Sequence, residues 1–149
     1  MYQRNIVWAG LFALLTLFIT SQAFAQADVN EKRQNFMKGN SAATKAIKGA
    51  VEAKDYATIE AKAKDLMGSS EKIVGLFPKG STKGKTKATE AIWEKSGEFK
   101  AKAANLNKAA GALADAAKGQ DPAIDVKVKA VSDACGGCHK AFRAEKYAE

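Results

Sequence analysis

From Ile92 to Ala117 a small or apolar residue returns at every third or fourth position: Ile92, Ser96, Phe99, Ala103, Leu106, Ala110, Leu113 and Ala117. A strand alternates with period two and cannot keep such a row on one face, whereas a helix of 3.6 residues per turn can. The same rhythm recurs three times. A first stretch, from about Val29 to Ala53, carries Val29, Arg33, Phe36/Met37, Asn40, Ala43/Thr44, Ile47 and Ala50/Val51. A second starts near Asp55, a good N-cap type, and carries Ile59, Ala63, Leu66, Ser70, Ile73 and Phe77 before Pro78 stops it. The Ile92 stripe begins near Thr89 and is punctuated by Gly119 and Pro122. The last stretch carries Ile124, Val128, Val131, Cys135, Cys138 and Phe142. Four stripes joined by short connections predict an all-α chain folded as an antiparallel four-helix bundle. The Ala- and Lys-rich composition, with prolines only at 78 and 122, agrees.

Many inward positions are Ala, Ser or Gly. Native interiors are close-packed, so a bundle with so small a core needs something large to fill it, unless the helices approach closely.

The first residues stand apart from this pattern. Arg4 precedes an almost unbroken apolar run from Ile6 to Ile19, and Ala23-Phe-Ala25 offers small residues where a signal peptidase cuts. Residues 1–25 therefore read as a cleaved signal peptide, leaving residues 26–149 as one exported, periplasmic domain. The run is shorter than the roughly 20 residues of a membrane span, so no stable insertion is expected after cleavage. Losing Arg4 leaves 23 basic and 16 acidic residues, a formal charge of +7. Lysines such as Lys45, Lys48, Lys54, Lys62, Lys64 and Lys72 read mostly as solvated helix faces, with a preference for acidic partners. Nucleic acid is not an expected partner, because aromatic residues are few and export removes the chain from DNA. The loop Gly80-Ser-Thr-Lys-Gly84-Lys85-Thr86 is one residue short of a phosphate-binding loop and follows no strand. It reads as a flexible basic connection.

The chain has two cysteines and one histidine, all within Cys135-Gly136-Gly137-Cys138-His139. A disulfide there would close a tiny loop and constrain little. Zinc fails on ligand count, and a redox dithiol normally opens a helix after a strand. The C-x-x-C-H spacing is that of c-type haem attachment. On a helix, residues three and four apart share a face, so both thiols and the imidazole point together. Cys135 and Cys138 would form thioethers to one covalent haem c, and His139 would be the proximal iron ligand. The two glycines would leave room for the ring. The sixth iron position decides function, since His/Met ligation raises the potential of an electron carrier. Residues 26–149 offer Met37, on the inward stripe, and Met67, just off it. Periodicity leaves open whether Met37 is a ligand or core filler. No nucleophile–base pair or carboxylate constellation argues for an enzyme.

Taken together, these residues resemble class II c-type cytochromes, the cytochrome c-prime and cytochrome c-556 family, over essentially all of residues 26–149. The haem motif near the C-terminus with Lys140-Ala-Phe-Arg143 after it, Ala91-Ile-Trp93 with Phe99, and Lys32-Arg33-Gln-Asn-Phe-Met37-Lys38 carry the likeness. The resemblance implies a four-helix bundle with one haem. It is nearest the low-spin cytochrome c-556 branch, where a Met four residues after an Arg is the distal ligand, as Met37 follows Arg33. It also implies that Arg33 lies near a haem propionate, that Arg143 lies near His139, and that Trp93 and Phe99 contact the haem. In the high-spin branch an apolar shield, for which Phe36 is available, leaves the iron five-coordinate for NO or CO. The expected role is a periplasmic one-electron carrier with an acidic redox partner protein. The family includes monomers and homodimers, and both remain open.

Overall fold

The structure, a computed structural model, describes residues 28–147. The expected signal peptide, residues 1–25, lies outside the described residues. Helix α1 spans 28–52, α2 Tyr56–Lys72, α3 Ala91–Glu94, α4 Ser96–Lys118 and α5 Ile124–Phe142. The four long helices form the bundle, and α3 is a single turn leading into α4. Helix α4 packs on both α2 and α5. Among the described residues no helix is long and apolar enough to cross a membrane.

The stripes define the core as expected. Ile47, Ile59, Leu66, Leu113 and Val131 are fully buried, as are Ala63 and Ala110. Truncating Leu66 or Leu113 to Ala would cost roughly 2–5 kcal/mol, the range for such cavities. The small residues gather towards one end of the bundle, where Ala110, Ala114, Ala116 and Ala117 let α4 approach its neighbours.

Asp55 caps α2 as expected, its carboxylate accepting from the Thr58 amide at 3.0 Å. Two turns share one backbone solution. After α1, Asp55 N–H donates to Ala50 O and Lys54 N–H to Val51 O; after α4, Asp121 N–H donates to Ala116 O and Gln120 N–H to Ala117 O. Both are Schellman ends, with Lys54 (φ 54°) and Gln120 (φ 51°) at the left-handed position that glycine usually takes.

Three expectations need correction. Helix α2 ends at Lys72, and a short 3₁₀ turn, Val74–Leu76, carries the chain to Pro78. The third long stripe is not one helix: Lys95 leaves helical geometry (φ −114°, ψ 45°), which separates α3 from α4 and turns Ser96 outward to solvent. The basic loop is not a free connection. Asn30 Nδ2 donates to Lys83 O at 2.9 Å, Arg33 Nη2 to Ser81 O at 2.6 Å and Gln34 Nε2 to Lys85 O at 2.8 Å. Three side chains from the start of α1 thus hold alternate loop carbonyls. Gly80 (φ 81°) and Gly84 (φ 75°) supply the left-handed residues this path requires.

The loop's far end is held as well. Ala88 and Arg143 form an antiparallel bridge, Ala144 N–H donates to Lys87 O at 2.8 Å, and Thr89 N–H donates to Phe142 O at 3.2 Å. The residues after α5 are therefore fastened to the residues before α3.

Candidate functional site

A cavity of about 580 Å³ opens between the first half of α1, the start of α4, the end of α5 and the loop. It falls within the roughly 300–1,000 Å³ common for cofactor pockets. Its wall brings together Arg33, Met37, Phe99, Cys135, Cys138, His139 and Arg143 from distant parts of the sequence. Helical spacing explains the local part: Cys135, Cys138 and His139 fall on one face of α5, as Arg33 and Met37 do on α1. Phe36 and Met67 pack against the core and are not in the cavity wall. Trp93 also stands outside the cavity wall and packs against the core beside it. Its indole N–H donates at 3.0 Å to the carbonyl of Phe77, a residue that does line the cavity.

Three phenyl rings line the interior in edge-to-face contact: Phe77 with Phe99 at 5.1 Å, and Phe99 with Phe142 at 5.2 Å between centroids. The Arg33 guanidinium lies 4.8 Å from the Phe77 ring centroid. Arg33 is 4 % exposed, and burial lowers its pKa from the usual value. Its Nη2 donates to Asn30 Oδ1 and Ser81 O, both at 2.6 Å. Its Nη1 is buried with no partner. A buried guanidinium nitrogen in the wall of a cavity is a donor suited to an anionic group of whatever the cavity holds.

The α5 side is chemically distinct. Cys135 and Cys138 are half-buried free thiols. Burial pushes both above the usual thiol value; for Cys138 the neighbouring Cys135 adds to this, and Lys102 opposes it. Desolvation of the ring, then the Arg143 cation, lowers the His139 pKa and favours the neutral imidazole that can bind a metal. A Cβ added at Gly136 would meet nothing within 4 Å, and one at Gly137 only Lys102 Nζ at 3.8 Å. Packing within the protein therefore gives no reason for two successive glycines, which weaken a helix. Among the described residues no group of three His, Cys, Asp or Glu side chains could hold a metal ion by itself. The donors suit a metal that arrives within its own macrocycle.

The match to the cytochrome c' family model runs over residues 28–143, which contain Arg33, Met37, Phe99, Cys135, Cys138, His139 and Arg143 of the cavity wall. The chain belongs to the cytochrome c' family. Cytochrome c-556 of Agrobacterium fabrum is 31 % identical over 146 residues, covering 96 % of this chain and 97 % of that one. Cytochrome c' of Rhodospirillum rubrum is 33 % identical over 148 residues, covering 96 % and 99 %. The solved structure of cytochrome c prime from Shewanella frigidimarina superposes with a TM-score of 0.73 at 27 % identity, covering 80 % of this chain and 97 % of that one. A cytochrome c' carries one covalent haem c, and this chain's two cysteines line its cavity. The family's members are haem electron carriers or ligand binders.

Several wall residues were not legible as site residues. Asn40 and Thr44 were visible only as inward positions on α1. Lys102 stands beside the apolar stripe and carries no signal of its own. Thr86, Lys87 and Ala88 lie in a loop without periodicity and reach the wall only through the contacts with α1 and the end of α5.

Proposed function

We propose that this chain is a one-electron carrier whose single haem is held by thioethers to Cys135 and Cys138, with His139 as proximal and Met37 as distal ligand. One observation carries the reading: Met37, on α1, lines the same cavity as the three motif residues on α5. The haem would supply the redox centre. This chain's own side chains position it and set its surroundings. The free Nη1 of Arg33 suits a propionate, and Phe99 and Phe142 supply apolar walls that keep water from the ring. Iron ligated on both faces in both oxidation states needs little rearrangement, as a shuttle requires. That Phe36 does not line the cavity speaks against its acting as a shield over an open iron position. Export to the periplasm, from the apolar run after Arg4, belongs to the same reading.

The test is the near-infrared spectrum of the ferric protein. A weak Met–iron band that disappears in Met37→Ala, with a lower reduction potential, supports the assignment. A high-spin ferric spectrum without the band overturns it and makes ferrous NO or CO binding the function.

A further inference from the structure

Resting on the electron-carrier reading, we propose that the loop between α2 and α3 is the docking surface for an acidic partner protein. Residues 79–87 contain Lys79, Lys83, Lys85 and Lys87 and no acidic residue. The first three are exposed. The ion pairs found among the described residues use Lys32, Lys62, Lys64 and Lys129 and leave the loop lysines out. Glu90, at the loop's end, accepts from Thr82.

Position and rigidity distinguish these lysines from the rest of the basic surface. The loop ends in Thr86, Lys87 and Ala88, which are part of the cavity wall. The same wall contains Lys38, Lys102 and Arg143 and not one Asp or Glu. Positive charge is thus concentrated where electrons would leave. The three bonds from Asn30, Arg33 and Gln34 fix the backbone from which Lys83 and Lys85 project. A pre-ordered cationic surface loses little entropy on docking, and it steers an anionic partner by its field. A lipid surface fits less well, because residues 79–87 contain no aromatic or aliphatic side chain that could insert.

The experiment compares the haem-loaded protein with two triple variants of equal charge. One replaces Lys79, Lys83 and Lys85 by Gln. The other replaces Lys48, Lys54 and Lys118, at the end of the bundle away from the cavity. The reduced proteins are oxidised by ferricyanide and by tris(phenanthroline)cobalt(III) at 0.1 M salt, where screening confines the field to about 10 Å. The loop variant is expected to react about threefold or more slowly with the anion and faster with the cation, while the distal variant stays near wild type. Equal rates for the two variants overturn the proposal. So does loop-dependent sedimentation with phosphatidylglycerol vesicles, which would make the occupant a membrane. Failure of the carrier reading shows separately, as a high-spin spectrum in the unmutated protein.

Discussion

Arg33 illustrates how one side chain can serve both fold and site. Its Nη2 bonds hold the loop through the buried carbonyl of Ser81, and its Nη1 is left for the cavity. Arg33→Met keeps much of the side chain's length but leaves Ser81 O unpaired. Bonds to a charged donor and an orphaned buried carbonyl are worth about 1–3 kcal/mol. We expect a loss of that size in urea unfolding, with faster tryptic cleavage at Lys83 and Lys85. An unchanged midpoint and unchanged cleavage would mean that the loop is held by other contacts. Met37→Ala separates from this, since Met37 makes no such bonds: it should alter spectrum and potential with a smaller effect on the loop. The CxxCH residues were legible because their chemistry is written in five contiguous positions. Arg33's attachment was not, because its acceptor lies 48 residues away in a segment without periodicity.

The helices and their ends give predictions of a different kind. Lys54 and Gln120 occupy left-handed positions at which a Cβ is strained. Lys54→Gly and Gln120→Gly relieve that strain but loosen the unfolded chain, for a net gain of about 0.5–1 kcal/mol each. Urea midpoints check this, and a loss in both would show that the side chains contribute more than their backbone geometry costs. At the start of α2, the bonds from Thr58 hold the Asp55 carboxylate below the usual range. Its stabilisation is therefore complete above the unfolded value of about 3.9 and lost as pH falls through the folded value. Asp55→Ala should be less stable than wild type at pH 7, with a gap that closes below pH 4. A pH-independent gap would assign the effect to something other than the charged cap. Apolar spacing revealed the four long helices, since each stripe records which face is buried. It did not reveal the break at Lys95. The residues on both sides of that break keep helical spacing, and the separation of α3 from α4 shows only in the backbone angles of Lys95.

For the molecule as a whole, the small core residues and the cavity divide the bundle into two unequal halves. At one end alanines let the helices meet, and at the other the walls stand apart around about 580 Å³. Replacing Cys135 and Cys138 by Ala should yield a chain that loses its haem under denaturing electrophoresis. It should also melt below the loaded protein, by roughly 2–8 °C for each kcal/mol that the bound haem contributes in this size range. An equal melting temperature would mean that the walls close on themselves without help.

The order in which the chain is made adds one consequence. The two thiols lie on the final helix, so α1 to α4 leave the ribosome before either nucleophile exists. Both halves of the bundle are completed by this helix, through Ile124 and Val131 in one and through the cysteines and His139 in the other. The last component of this protein's interior is therefore added from outside, after translation of the helices around it.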